Sequence, residues 1–211
     1  MSRLVCVRHG LTDWNQRRLF QGRRDIPLNE TGHQQAAAMS VAIAAMQPIA
    51  LYASPLTRTR ETAVHIAERT GLEIRTDERL KEIHVGSWEG LGVDEADDLD
   101  PGFRQALRAG EDRRRSPEGE TAVECGRRSV GALRDIADAH ADDEGVVVIV
   151  GHGMALRFGI AELLGWDWEH ARQLGGFDNC SWSVLDRAPG VAPHRNGWLL
   201  TSHNVNVAQR G

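Results

Sequence analysis

Residues 3–10 read RLVCVRHG, residues 49–58 read IALYASPLTR, and residues 146–153 read VVVIVGHG. Each is a short, near-continuous apolar run that ends on a polar loop and leads into a stretch of helical character. Runs that do not alternate predict strands buried on both faces of a parallel sheet. Strands that alternate with helical stretches predict an α/β domain with right-handed crossovers. The expected fold is a mostly parallel central sheet with helices on both faces.

The helices are read outward from these strands. After Asn29, the alanine-rich stretch TGHQQAAAMSVAIAAM predicts one. Ser54 and Pro55 predict an N-cap and first helical residue for a helix carrying Leu56, Ala63, Ile66 and Ala67, with Gly71 as its stop. A longer helix is expected over about 120–140, with Val130, Leu133, Ala137 and His140 on one face, and another after Gly153. SWSVLDR and GWLLTS predict two closing strands, joined by the turn residues APGVAPHRNG. No repeat or long linker interrupts the chain, so residues 1–211 are expected to form one domain. Residues 88–119 stand apart: they are rich in charge, contain EADDLDPGF and EDRRRSPEGE, and lack long apolar runs. They predict a small cap-like insertion over the sheet edge.

Composition narrows the function classes. The 211 residues are 41% hydrophobic and 26% charged, near globular averages. Mean hydropathy is −0.41, and no apolar run approaches the ~20 residues of a membrane span. The first residues read as a strand rather than a secretory signal. Cys6, Cys125 and Cys180 are widely spaced and form no CxxC pair. They predict neither a disulfide framework nor a zinc-thiolate site, and point to a reducing cytoplasm. A net charge of −5 gives no support for nucleic acid as partner. Lys81 is the sole lysine, so 24 of the 25 Lys and Arg residues are arginine. A genome rich in G and C produces the same bias without functional meaning. No metal or other cofactor is expected: two separated histidines do not make a facial triad, and the carboxylates at 94–100 lack EF-hand spacing. The tryptophans at 166, 168, 182 and 198 are expected in the core or an interface.

In open α/β sheets, ligands bind beyond the carboxyl ends of the strands. The three junctions place Arg8, His9, Arg58 and His152 at that edge. Two arginines and two histidines make a poor hydrophobic core and a good anion site, and forked guanidinium groups match the oxygens of a phosphate monoester. Asn15 and helix-start amides would add neutral donors. His9 and His152 are each flanked by glycine directly after a buried strand, which lets a ligand approach the backbone. His33, His65, His140, His170, His194 and His203 are expected to be structural or surface residues. His84, close to Glu82, stays open.

RHGLTDWN at 8–15 resembles the signature of the histidine phosphatase superfamily, with its phosphoglycerate mutase-like fold. Further segments resemble the family in the expected order: LFQGRRDIPLNETG at 19–32, SPLTRTRETA at 54–63, LKEIHVGSWEG at 80–90, GET at 119–121 and VVIVGHG at 147–153. The resemblance covers most of residues 1–165. It implies that His9 is the nucleophile that becomes phosphohistidine. It implies that Arg8, Arg58 and His152 bind the phosphoryl group, and that Glu82 gives a proton to the leaving oxygen. Thr12, Asn15, Gln21, Gly22 and Gly153 would complete the substrate site. The chemistry is coherent. A neutral imidazole can attack phosphorus and split one displacement into two. Cations stabilise the equatorial oxygens. Like charge from a phosphate dianion favours the protonated form of a neighbouring carboxyl, which is the form a donor needs.

Three functions follow from the resemblance. The first is a phosphatase for a small-molecule phosphate ester. The second is a phosphoglycerate mutase. Mutases of the family carry a long basic insertion, whereas EGLGVDEADDLD here is acidic, which favours hydrolysis. Arg113, Arg114 and Arg115 keep a second anion contact open. The third is a non-catalytic binding module, disfavoured because the nucleophilic histidine and both arginines are present. A narrower resemblance, to actinobacterial glucosyl-3-phosphoglycerate phosphatases, runs through LKEIHVGSWEGL, PGFRQALR and LGGFDNCSW at 174–182. It implies a phosphorylated sugar or glycerate substrate. The family resemblance also implies a homodimer.

Overall fold

Six strands form one sheet in the order β3-β2-β4-β1-β5-β6. The structure, a computed structural model, describes residues 2–188 and 197–207. The strands are β1 (Ser2–Arg8), β2 (Pro48–Ala53), β3 (Ile74–Thr76), β4 (Gly145–Gly151), β5 (Trp182–Arg187) and β6 (Trp198–Val205). β1, β4, β2 and β3 run parallel, and β5 is antiparallel to both β1 and β6. The sheet is therefore mostly parallel, as expected. Arg8 lies opposite Gly151, and Ala53 opposite Val150. This register brings the ends of three strands, and the loops that follow them, to one line.

Side chains alternate across the sheet with period two. Leu4, Cys6, Val147, Ile149 and Leu185 face α6 (Ala122–Ala139) and α7 (Gly153–Leu163), meeting Leu133, Ile136, Leu156 and Ile160. Val5, Val7, Val148 and Val150 face α2 (Glu30–Ala44) and α3 (Thr57–Thr70), meeting Met39, Ile43, Ala63 and Ile66. Burial on both faces explains why these strands read as continuous apolar runs. Three further helices, α1 (Asp13–Gln16), α4 (Val93–Leu99) and α5 (Phe103–Arg108), precede α6, and α8 (Trp168–Ala171) follows α7.

The helix signals hold at most ends. Asn29 caps α2, accepting from Gly32 N at 2.9 Å. Gly71 ends α3 in the left-handed conformation, φ 72°. The Ser54 expectation fails. The N-cap of α3 is Leu56, with no side-chain cap. Ser54 stays at the sheet edge, where its N–H donates to Val150 O at 2.9 Å. The closing hairpin forms, and Ala188 N donates to Gly197 O at 2.8 Å. Residues 189–196 of its turn, His194 among them, lie outside the described residues. β3 went unread because three residues carry no period.

Residues 88–119 conceal a small core of their own. Trp88, Ala96 and Phe103 are buried with Ile83, Val85, Cys125 and Ala155. The Trp88 and Phe103 rings meet edge to face at 4.7 Å. Apolar residues spaced singly in an acidic sequence were enough to dock α4 and α5 beside the 83–91 segment. No helix among the described residues is long and apolar enough to cross a membrane.

Candidate active site

His9 directly follows β1, and its backbone N–H continues the sheet by donating to Gly151 O at 3.1 Å. Its ring Nδ1 lies 2.7 Å from Gly10 O. A carbonyl only accepts, so Nδ1 carries the proton and the lone pair is left on Nε2. Burial, then the charges of Arg58 and Arg8, hold this histidine well below its ordinary titration range, against the opposing Gly10 bond. A neutral imidazole with a fixed tautomer is a nucleophile ready to act.

The loop under His9 is tied on every side. Gly10 N donates to Thr62 Oγ1 at 3.1 Å. Asn179 Nδ2 donates to His9 O at 3.0 Å and to Gly10 O at 3.1 Å. A Cβ on Gly10 would lie 2.5 Å from Gly32 O, so α2 packs directly on this backbone.

His152 stands 5.3 Å from His9, ring centre to ring centre. Arg58 Nε donates to His152 Nδ1 at 3.2 Å. A guanidinium cannot accept, so the neutral ring carries its proton on Nε2 and donates it to Ser54 Oγ at 2.8 Å. Burial, Arg58, His9 and Arg8 hold His152 well below the ordinary histidine range. Arg58 is fully buried and also donates to Arg24 O at 2.7 Å and Gly22 O at 2.9 Å. Burial pushes its pKa down to about 10, opposed by Glu82 and Asp25. Arg8 donates to Phe177 O, and its buried Nε has no partner. Burial lowers Arg8 too, opposed by Glu82 and Asp178. Both guanidiniums bond to neutral groups, and neither forms a direct ion pair in these contacts. A buried Arg58 and a half-buried Arg8 so arranged favour an entering anion.

Glu82 lies at the N-terminus of α7. Its Oε1 accepts from Ala155 N at 2.9 Å and Ile83 N at 2.8 Å, and its Oε2 accepts from Met154 N at 3.2 Å. Orphan amides of the helix thus aim the carboxylate beside the His152 end of the pocket. Gly153 is the first residue of α7, and a Cβ there would lie 3.5 Å from Arg8 Nε.

Of the remaining expected residues, Gly22 and Asn15 are bonded into this network, Gly22 through Arg58 and Asn15 through Asn179. Gly22, at φ 52°, presents its carbonyl to Arg58, and a Cβ on it would strike Val85 at 2.6 Å. Gln21 is buried with its Oε1 unpartnered. Asn15 Oδ1 gathers donors from Thr12 and Asn179. The Thr12 hydroxyl is spent on capping α1, where it accepts from Asn15 N at 3.1 Å. Sequence reading missed Ser54, Thr62 and Asn179, because each acts through a partner 52 or more residues away. Arg113, Arg114 and Arg115 pair with Asp100, Glu124 and Asp112. His33 pairs with His65, His140 with Tyr52, His170 with Asp167 and His203 with Ser183. The ring of His84 bonds Glu118 O at 2.8 Å. Among the described residues, no group of three or more His, Cys, Asp or Glu is placed to hold a metal ion.

The family model of the histidine phosphatase superfamily (branch 1) matches residues 4–204. Glucosyl-3-phosphoglycerate phosphatase of Mycobacterium tuberculosis is 36% identical over 214 residues, covering 97% of this chain and 95% of that one. A probable phosphoglycerate mutase of Yersinia pestis is 35% identical over 204 residues, covering 96% and 92%. The solved structure of mycobacterial glucosyl-3-phosphoglycerate phosphatase with VO3 superposes with a TM-score of 0.87 at 34% identity, covering 97% and 99%. Phosphoserine phosphatase of Entamoeba histolytica, solved with 3-phosphoglyceric acid, superposes at 0.83 with 26% identity, covering 98% of each chain. With the match running from the first strand to the last, this chain belongs to the histidine phosphatase superfamily, branch 1.

Proposed function

We propose that this phosphatase hydrolyses a small-molecule phosphate monoester through a phosphohistidine on His9, and that its substrate is a phosphorylated sugar or glycerate derivative such as glucosyl-3-phosphoglycerate. One observation carries the mechanism: a neutral, tautomer-fixed His9 with its lone pair on Nε2 sits in the field of buried Arg58 and half-buried Arg8, which bond to carbonyls and His152 rather than to a carboxylate. The dianion supplies the missing negative charge. Arg8 Nε gains an acceptor, and Arg58 Nε turns from His152 to a phosphoryl oxygen. His9 Nε2 then bonds to phosphorus in line as the ester oxygen leaves, taking a proton from Glu82. In the second half Glu82 takes a proton from water, the water oxygen bonds to phosphorus, and the P–N bond breaks.

Water is the acceptor in this reading. The pairing of Arg113, Arg114 and Arg115 within the chain supports it, because their charge is already met by Asp100, Glu124 and Asp112. The sugar-phosphoglycerate substrate rests on the mycobacterial relative. Residues 1–211 act as one domain with 88–119 as its cap. The enzyme works in the cytoplasm, where the buried, unpaired Cys6, Cys125 and Cys180 stay reduced, and it forms a homodimer. A monomer by light scattering would end the last point.

The deciding experiment is a panel of phosphate esters without added bisphosphoglycerate, with a mutase assay beside it. Release of inorganic phosphate, fastest in kcat/KM from glucosyl-3-phosphoglycerate, is expected. Transfer between the 2- and 3-positions of phosphoglycerate with little free phosphate would overturn the hydrolase reading. Nucleotides or simple sugar phosphates outcompeting glucosyl-3-phosphoglycerate would overturn the substrate.

A further inference from the structure

Glu82 sits on a segment outside the sheet, and two arginines from elsewhere hold that segment by its carbonyls. Arg128, on α6, donates to Arg79 O at 2.6 Å, Lys81 O at 2.8 Å and Glu82 O at 3.2 Å. Arg23, from the loop before α2, reaches Glu82 O at 3.5 Å. One carboxylate binds both guanidiniums. Glu120 Oε1 accepts from Arg23 Nη2 at 2.8 Å and from Arg128 Nε at 2.9 Å. Its Oε2 accepts from Arg128 Nη2 at 2.8 Å and from His84 N at 2.9 Å. The Glu120 N–H returns a bond to His84 O at 2.8 Å.

We propose that Glu120 is a positioning residue for proton transfer by Glu82. Its carboxylate keeps two like-charged guanidiniums together on the Glu82 backbone, and so holds the proton donor against the first amides of α7, next to His152. Burial raises the pKa of Glu120, but the Arg128 bond and the His84 N–H outweigh this and keep it ionised, below the usual carboxylate range. Without that charge Arg23 and Arg128 repel each other, and their hold on Glu82 O loosens. The inference rests on the reading of Glu82 as proton donor, in which its proton moves to the ester oxygen as the P–O bond breaks and the P–Nε2 bond to His9 forms.

The test uses leaving groups. A poor leaving group such as the alkoxide of glycerol phosphate needs the proton; the good one of p-nitrophenyl phosphate does not. Glu120→Gln is expected to lower kcat on the alkyl ester by about tenfold to a hundredfold. KM should stay within about threefold, and p-nitrophenyl phosphate turnover should fall by less than about threefold. Glu82→Gln should show the same split, larger. Glu120→Asp keeps the charge but is one methylene short, and should show the split in weaker form; it decides the matter if Glu120→Gln does not fold. If Glu82→Gln shows the split while the Glu120 variants lose both esters equally, or neither, the positioning role is overturned. If Glu82→Gln shows no split, the donor reading itself falls, and the proposal with it.

Discussion

Replacing Gly32 with alanine tests how rigidly the nucleophile is held. Gly32 lies in the first turn of α2 against the backbone of Leu11, two residues beyond His9. A Cβ there would lie 2.1 Å from Leu11 O, 2.9 Å from Leu11 N and 3.0 Å from Leu11 C. The first contact is about 1 Å too short, so roughly that much separation must open between α2 and the loop. The loop has little freedom to give. Leu11 N donates to Gln35 Oε1 at 3.0 Å, Leu11 O accepts from Asn29 N at 3.0 Å, and Gly10 is held by Thr62 and Asn179. Overpacking of this kind costs about 1–3 kcal/mol. At about 2–4 °C per kcal/mol for a chain of this size, that lowers Tm by roughly 2–12 °C. A misplacement of about 1 Å at the reacting atom costs on the order of a hundredfold in turnover. The assay is p-nitrophenyl phosphate turnover with thermal unfolding. Gly176→Ala is the control, because nothing lies within 4 Å of the Cβ it would add. Gly32→Ala with wild-type melting and turnover within about twofold would show that the loop carrying His9 is free to move away from α2.

Other variants probe the rest of the pocket. Arg58→Lys keeps a charge but cannot reach His152 Nδ1, Gly22 O and Arg24 O together; kcat/KM should fall by about a hundredfold or more, and a loss under threefold in steady-state assays would count against the fork. Ser54→Ala leaves the buried Nε2–H of His152 without an acceptor; denaturant titration should show a loss of about 1–3 kcal/mol, and no loss would show the bond to be idle. His9 and His152 both titrate well below the ordinary range in the fold. As pH falls below about 6.5 the unfolded chain takes up protons that the folded chain refuses, so stability is full above that pH. It should be lost at up to about 1.4 kcal/mol per pH unit for each histidine. His152→Gln should flatten the decline of urea-unfolding free energy between about pH 6.5 and 5.5; an unchanged slope contradicts the buried neutral ring. Arg114→Ala should leave KM unchanged, since Arg114 is occupied with Glu124; a large rise in KM would place it on substrate.

The parts legible in sequence were those whose cause is local. Buried strands declare themselves by β-branched runs, so RHG and GHG could be placed at strand ends and their histidines picked from nine. Ser54 shows the limit. The Ser-Pro pair carries an N-cap signal, but the Val150 carbonyl keeps Ser54 on the sheet edge, and its hydroxyl serves His152, 98 residues away. Asn179 was invisible for the same reason: its bonds to His9 and Gly10 exist only because β5 runs antiparallel beside β1. The small core at 88–119 left no periodic run to read, because Trp88, Ala96 and Phe103 stand singly among polar and charged residues. Glu120 lay inside the GET segment, yet its pairing with Arg23 and Arg128 depends on three chain segments meeting.

Turnover requires a phosphoryl group carried by His9 Nε2. Rapid-quench labelling with a radiolabelled phosphate ester, followed by peptide mapping, tests it most directly. Acid-labile, base-stable phosphate on His9, absent from His9→Ala together with nearly all turnover, is the predicted result. Label on another residue, or a His9→Ala variant that turns over like the wild type, would contradict it.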